Sequence, residues 1–340
     1  MSETMRAAVM TAVKQPLEIR RMPVPAPGAG EVLVKLDVCG LCHSDLHFWL
    51  GEHPMPRELP VVLGHEGIGH VVSLGSGVTR LQTGDRVGIG YVYGTCGDCR
   101  QCLTGRETHC SSIQSTGVHA EGCFAEYTIL RADWATRIPQ SLDESAAAPL
   151  LCAGVAAYSA IRKARIEPGD LVAVFGAGGL GTYAIQIAKA HGARVAVVDV
   201  GDEKLAHGRQ LGADYTFRAD QDAVAELQRL GGTNASFNFA PVATSWRQMV
   251  EASAPLGRLV LISLPAEPLS FEAPEIIENG LEVLGSADGT RQELRQLMQL
   301  ASDDRIRSVV ESVPLTEING AMERLAAGSV QGRLVIDMRP

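Results

Sequence analysis

The sequence predicts an α/β protein of two domains: an irregular β-barrel, then a doubly wound parallel sheet of six strands. Three observations carry this reading. From residue 171 to residue 286 apolar runs alternate with helical stretches, the pattern that strand–helix crossovers require. Between residues 61 and 90 valine and glycine dominate and no helical period is visible, as in a compact β domain of short strands joined by glycine turns. The chain has 340 residues, 46% hydrophobic and 20% charged, enough for about two domains with full cores.

Taken in order, residues 5–38 read as strands. Val32–Val38 alternates after the turn Pro27-Gly28-Ala29-Gly30. The runs Val61–Gly67, Gly69–Val72 and Gly84–Gly88 continue the barrel, residues 94–111 form a cysteine lobe, and 122–130 returns to strand character. Ser145-Ala146-Ala147-Ala148 opens a helical run reaching about Ala164, closed by the turn Glu167-Pro168-Gly169-Asp170. Strands are then expected at 171–175, 194–199, 214–217, 235–240, 258–264 and 281–286. Helices over Leu180–Ala190, Glu203–Leu211, Ala223–Leu230 and Thr244–Ala252 separate them. After Gly289 a helix (290–302), a strand, a helix (316–327) and a last strand, Arg333–Met338, break the alternation and should return to the first domain. The expected division is 1–153, 154–288 and 289–340.

A net charge of −9 with scattered basic residues argues against nucleic acid or an anionic membrane as partner. Met1–Arg6 lacks the apolar core of a signal peptide, and no apolar run reaches the ~18 residues of a membrane helix. A soluble, cytoplasmic protein is expected. Eight cysteines in such a chain point to metal binding or catalysis rather than disulfides.

Val172-Ala173-Val174-Phe175 runs into Gly176-Ala177-Gly178-Gly179-Leu180-Gly181, a G-x-G-x-x-G turn between an expected strand and an expected helix. An acid, Asp199, closes the next strand eighteen residues past Gly181. This is a dinucleotide fingerprint: glycines let the backbone approach a pyrophosphate, and the helix N-terminus supplies N–H donors. A carboxylate at Asp199 accepts from ribose hydroxyls. It repels a 2′-phosphate by about 4 kcal/mol per pair of unit charges at ~4 Å, which favours NAD over NADP.

Cys96-x2-Cys99-x2-Cys102-x7-Cys110 places four thiols within fifteen residues. Short loops can wrap four thiolates into a tetrahedron around Zn²⁺, and an all-cysteine set leaves no open position, so this zinc would be structural. Four thiolates also suit an iron–sulfur cluster, but no second cluster motif accompanies them.

The densest stretch is Cys39-Gly-Leu-Cys42-His43-Ser44-Asp45-Leu46-His47. At first sight Cys39 and Cys42 form a C-x-x-C pair, a redox couple or half a zinc knuckle. Downstream lie Gly64-His65-Glu66 and Cys152. A catalytic zinc wants three protein ligands and a free position. Cys39, Cys42, His43, His47, His65, Glu66 and Cys152 are all candidates, and spacing alone does not choose among segments so far apart.

Together these motifs make the chain resemble the zinc-dependent medium-chain alcohol dehydrogenases, close to the bacterial ethanol- and propanol-oxidising branch. The matching residues are Cys42–His47, Gly64–Gly67, Cys96–Cys110, Leu151–Gly154, Gly176–Gly181, Asp199 and Gly332-Arg333, in family order over the whole length. The resemblance implies a GroES-like β-barrel catalytic domain and a Rossmann-type sheet. It implies two zinc ions per chain, one structural and one catalytic on Cys42, His65 and Cys152, with NAD as cofactor. Glu66 would lie behind the catalytic metal and Asp45 would hold the far nitrogen of His65. Ser44 would take the substrate proton and pass it by way of the cofactor ribose to His47. His43 and Arg333 would contact the pyrophosphate, and Lys204 the adenosine ribose. Trp49, His53 and Tyr91 are candidates for the substrate pocket, with Phe48 and Tyr93 beside them, whereas Cys39 and Cys123 read as core thiols. Alanine at position 156 and Phe239-Ala240-Pro241 depart from the family pattern.

Chemistry supports the metal. Hydride leaves a carbinol carbon readily only from an alkoxide, and lowering a pKa from near 16 to ≈7 takes on the order of 12 kcal/mol, which zinc can supply. The implied reaction is reversible oxidation of primary or simple secondary alcohols to aldehydes or ketones, with hydride passing to nicotinamide. Aryl or allylic alcohols are the alternative within the family. A zinc-dependent redox sensor or scaffold without turnover is the reading outside it. The resemblance implies a homotetramer, with a dimer as the other possibility.

Overall fold

The structure is a computed structural model and describes residues 3–265 and 267–339. The chain forms two compact units. One holds the residues up to Val155 and those from Thr290 onward; the other is Ala156–Gly289.

The first unit begins with strands β1 (Thr4–Met10), β2 (Glu18–Pro23) and β3 (Glu31–Gly40), then helix α1 (His43–Trp49). Strands β4 (Val61–Val62), β5 (Glu66–Leu74), β6 (Arg86–Ile89) and β7 (Val92–Gly94) follow. A single helical turn, α2 (Arg100–Leu103), precedes β8 (Gln114–Ser115), β9 (Tyr127–Arg131) and β10 (Thr136–Arg137). Helices α3 (Glu144–Ala147) and α4 (Ala153–Lys163) lead to β11 (Leu171–Phe175), α5 (Gly181–Ala190), β12 (Arg194–Asp199), α6 (Asp202–Gln210) and β13 (Tyr215–Arg218). Then come α7 (Ala223–Arg229), β14 (Thr233–Asn238), α8 (Ala243–Ala252), β15 (Ser253–Leu261), α9 (Ala273–Asn279) and β16 (Glu282–Gly285). The tail adds α10 (Arg291–Ser302), β17 (Val310–Pro314), α11 (Ile318–Ala326) and β18 (Arg333–Asp337).

Strand β3 is the spine of the first unit. Among the described residues a seven-stranded sheet runs β10-β6-β5-β3-β18-β17, with β9 added on β3. Pairing of β3 with β5 shifts register at Leu33/Val34 and at Leu36/Val38. Such bulges bend a strand and increase its twist. The first half of β3 pairs with β9 (Glu31–Lys35) and the second with β18 (Val38–Gly40), so the tail extends this sheet through β18 and β17. Val32, Val34 and Leu36 are buried with Val71, Val87, Ile89 and Leu130. Each fully buried side chain of this size contributes about 1.5–3 kcal/mol relative to exposure.

In the second unit the sheet order is β13-β12-β11-β14-β15-β16, and each of its strand pairs is parallel. All five residues of β11, Leu-Val-Ala-Val-Phe, are buried, as a central strand covered on both faces demands. Strand order reverses between β11 and β14, the switch point where open α/β sheets bind ligands. The six expected strands and four separating helices are present, with ends moved by up to five residues; β15, expected from 258, starts at Ser253.

Three features differ from expectation. The helical run expected from Ser145 to Ala164 is broken: Ala148–Leu151 is a 3₁₀ turn containing Pro149, and Cys152 is non-helical (φ −131°, ψ −73°). Proline lacks the N–H that would continue the first helix. Helix α1 lies inside the stretch rich in thiol, imidazole and carboxyl groups, where Ser, Asp and two His give weak propensity; capping and packing hold it instead. Helix α9 was masked by its own composition, with proline in its first turn. Among the described residues no single helix is long and apolar enough to cross a membrane.

A Cβ on Gly69 would sit 2.0 Å from the Lys35 carbonyl oxygen, a backbone atom of the paired strand. Gly69→Ala is therefore expected to cost about 1–3 kcal/mol, read as a lower midpoint in urea unfolding. An unchanged midpoint would contradict this packing.

Candidate metal and dinucleotide sites

Helix α1 begins with Cys42 as its N-cap, in extended geometry. Its third residue, Asp45, reaches back: Oδ2 accepts from the Cys42 N–H (3.0 Å), the return half of a capping box. The other oxygen, Oδ1, accepts from the Gly64 N–H (3.1 Å) and from His65 Nδ1 (3.0 Å). Asp45 is 2% exposed. One carboxylate thus joins the helix start to the glycine turn. Because Nδ1 donates to it, Nε2 of His65 is the nitrogen with a free lone pair.

That Nε2 is buried and meets no hydrogen-bond partner among the described residues. Cys42, His65, Glu66 and Cys152 each offer a ligand atom, all within 4.8 Å of one another. The Cys42 and Cys152 sulfurs are 3.8 Å apart, matching the roughly 3.8 Å between two thiolates on tetrahedral zinc at ≈2.3 Å each. An orphaned imidazole nitrogen beside two sulfurs at this spacing fits Zn²⁺. Neighbouring Cys152, then His65 and Arg333, hold the Cys42 thiol well below the ordinary cysteine range despite burial. Cys39 behaves oppositely. Burial, and then Cys123, push its thiol well up, and its sulfur donates to the Gly40 carbonyl (3.3 Å). Cys39 and Cys42 are three residues apart and chemically unlike.

Glu66 is fully buried, and burial raises its carboxyl to about 7 although Arg333 opposes this. Arg333 Nη2 donates to both Glu66 oxygens (2.7 Å each) and to the Leu41 carbonyl (3.0 Å). A Cβ on Gly40 would lie 1.9 Å from Glu66 Oε2, so this glycine makes room for the carboxylate. Arg333 is itself buried, so the structure brings it against Glu66. The Tyr91 ring stands edge-on to His65, centroids 5.1 Å apart.

Ser44 Oγ lies 3.8 Å from Cys42 Sγ. His47, one turn along α1, meets Glu52 through Nδ1 (2.5 Å) and the ring of His53 at 5.1 Å. His43 is exposed at the start of α1. Trp49 packs on the barrel core and its Nε1 donates to the Gln15 carbonyl (2.7 Å), while Tyr93 Oη donates to Glu31 (2.7 Å). Sequence reasoning missed Gly40, Gly51 and Glu52. The glycine that ends α1 was a readable signal for the last two.

In the cysteine lobe, sulfur separations are 3.5 Å (Cys99–Cys102), 3.5 Å (Cys96–Cys110) and 3.9 Å (Cys96–Cys102). These again suit four thiolates around one zinc. A third group, Asp37, His70 and Glu144, is compact, but Arg86 (3.7 Å) and Arg339 (3.9 Å) already lie against Glu144.

The dinucleotide turn is built in the second unit. Gly176 has φ +95°, and a Cβ there would meet the Ala240 nitrogen at 2.9 Å. A Cβ on Gly181 would be 2.0 Å from the Gly176 oxygen, which is how helix α5 closes onto β11. Around Gly178 there is open space, and Gly179 and Leu180 complete the turn at the α5 N-terminus, a fit for a pyrophosphate. Asp199 accepts from the Ala177 N–H (2.9 Å) and the Gly201 N–H (3.0 Å). Lys204 is exposed, and its stem runs beside Gly201.

A metal-competent β unit joined to a dinucleotide-type sheet defines a dehydrogenase-class oxidoreductase. Comparison with known proteins agrees. Residues 28–140 match the alcohol dehydrogenase GroES-like domain and residues 179–303 the zinc-binding dehydrogenase domain. The chain is 39% identical to an alcohol dehydrogenase of Geobacillus stearothermophilus over 98% of this chain and 99% of that one. Among solved structures it resembles the alcohol dehydrogenase of the archaeon Aeropyrum pernix (TM-score 0.90, 32% identity, 98% and 99% covered). It also resembles a cinnamyl alcohol dehydrogenase of Sorghum bicolor (TM-score 0.89, 30% identity, 99% and 98% covered). The chain belongs to the zinc-type medium-chain alcohol dehydrogenase family.

The geometry separates the two N-terminal cysteines. Cys42→Ser is expected to lower bound zinc by one ion per chain, and Cys39→Ser to leave it unchanged, measured by elemental analysis of purified protein. The reverse pattern would refute the ligand set.

Proposed function

We propose that this enzyme oxidises primary or simple secondary alcohols reversibly with NAD, using one catalytic and one structural zinc per chain. The observation that carries this is the buried, partnerless Nε2 of His65 facing two sulfurs, held by Asp45 from behind. Cys42, His65 and Cys152 would hold the catalytic ion, and Cys96, Cys99, Cys102 and Cys110 the structural one. When bound, zinc supplies Lewis-acid polarisation of the alcohol hydroxyl and NAD supplies the hydride acceptor.

The chain's own residues do the rest. Asp45 fixes the tautomer and direction of His65. Glu66, clamped by Arg333, keeps a carboxylate beside the ligands. Ser44 takes the substrate proton and His47, three residues on and therefore on the same helix face, releases it. Gly176, Gly178, Gly179, Leu180 and Gly181 cradle the pyrophosphate, with His43 and Arg333 assigned to its charge by family resemblance. Asp199 and Lys204 address the adenosine ribose. Tyr91, Trp49 and His53 are the proposed pocket residues, Tyr91 having the support of its contact with His65. Aryl alcohols remain the second reading because of that aromatic ring and the likeness to the sorghum enzyme.

None of the eight cysteines forms a disulfide among the described residues, which suits a reducing compartment, and we place the enzyme in the cytoplasm. We also propose a homotetramer. Leu256, Ile277 and Val283 are exposed around β15, α9 and β16, the edge of the parallel sheet, where a second copy can pair. Light scattering decides the mass.

NADH formation across ethanol, propanols, butan-2-ol, benzyl and allyl alcohols tests the substrate class. Highest kcat/KM is expected on the short aliphatic alcohols; preference for benzyl alcohol would favour the aryl reading. Asp199→Gly is expected to shift the NAD-to-NADP ratio of kcat/KM toward NADP by about 100-fold or more. A ratio that does not move refutes its role.

A further inference from the structure

We propose that Glu52 is a positioning residue that sets the tautomer of His47, holding a proton on Nδ1 and leaving Nε2 to receive the relayed one. This rests on the relay reading above, in which Ser44 passes a proton to His47.

The geometry is built into how helix α1 ends. Leu50 is its C-cap, and Gly51 follows in the left-handed region (φ +68°). The Gly51 N–H donates to the Phe48 carbonyl (3.0 Å) and the Glu52 N–H to the His47 carbonyl (2.9 Å). These are the two bonds of a Schellman motif. The turn folds the chain back so that Glu52, five residues after His47, returns over its ring. Gly51 cannot be replaced cheaply, since a Cβ there would also meet Val13 at 2.6 Å. Glu52 Oε2 lies 2.5 Å from His47 Nδ1. A carboxylate accepts only, so Nδ1 carries the proton. The other titratable rings near His47 are His43 (centroids 6.4 Å apart) and His53 (5.1 Å), and neither reaches it as closely.

A histidine with no oriented partner exchanges two tautomers, and the wrong one presents N–H where a lone pair is needed. With Glu52 in place the ring presents the Nε2 lone pair. A proton bonding there makes an imidazolium whose charge faces the Glu52 carboxylate. Loss of a proton to water restores the neutral ring. The arrangement acts as a carboxylate does behind the histidine of a hydrolase triad. Half of the Glu52 side chain is solvent-exposed, so its removal leaves folding intact.

The test uses zinc-loaded enzyme with NAD and ¹⁵N-labelled histidine. In the native protein His47 is expected to be protonated on Nδ1 and bare on Nε2; in Glu52→Ala the tautomers should mix. Alcohol turnover should fall roughly tenfold in kcat with KM and zinc content unchanged, and Glu52→Asp should recover part of it. In a His47→Gln background Glu52→Ala should do nothing further. A native ring protonated on Nε2, a tautomer untouched by Glu52→Ala, or equal losses in both backgrounds overturns the proposal. Full kcat in His47→Gln alone removes the relay and the catalytic consequence; the NMR arm still decides separately whether Glu52 sets the tautomer.

Discussion

The site depends on one buried carboxylate. Asp45 accepts three hydrogen bonds, from the Cys42 and Gly64 N–H groups and from His65. Hydrogen bonds to a charged group are worth about 1.5–3 kcal/mol each, and a buried carboxylate without them would be costly. The consequence is geometric. Cys42 and His65 lie 23 residues apart on separate segments, and neither has an independent reason to face the other. Asp45 fixes both. It caps the helix that presents Cys42, pins the turn that presents His65, and chooses which imidazole nitrogen is free to bind.

Around that anchor the fold makes space for charge. Glu66 and Arg333 are both buried, a pairing whose desolvation cost commonly rivals its Coulomb gain. Its arrangement is specific nonetheless: the last strand, β18, brings Arg333 from the far end of the chain, and Gly40 omits a side chain where Glu66 must fit. The tail therefore extends the sheet on β3 and delivers the cation that holds Glu66 beside the candidate metal ligands. This explains physically why the strands after Gly289 join the first unit's sheet rather than extend the parallel one.

Much of this was legible in the sequence. The second unit was, because its signals are local: apolar runs of strand length, a glycine turn between β11 and α5, and an acid at the end of β12. The cysteine lobe was legible for the same reason. The ligand set proposed for the catalytic metal was not, taken residue by residue. Cys39 and Cys42 look equivalent in a C-x-x-C string, yet one lies sealed against Cys123 and the other beside His65. Burial, not spacing, separates them, and burial is a property of the folded barrel. Family resemblance supplies the proposed ligand set that spacing left open. Helix α1 and Glu52 escaped notice because weak helix formers concealed the helix whose terminal turn positions the carboxylate.

Asp199 shows how specificity and architecture share atoms. As a sequence signal it reports ribose preference. In the structure each of its oxygens already holds an N–H, one from the glycine turn at Ala177 and one from Gly201 ahead of α6. A carboxylate has about four lone-pair sites, so both oxygens retain capacity for ribose hydroxyls. The same group thus sets the glycine turn proposed to cradle phosphate and carries the charge proposed to select against a 2′-phosphate. Removing it alters both at once. A weaker affinity for either cofactor reports the loosened turn, whereas a changed ratio between cofactors reports the lost charge. The two effects share a residue but separate as a common factor and a quotient.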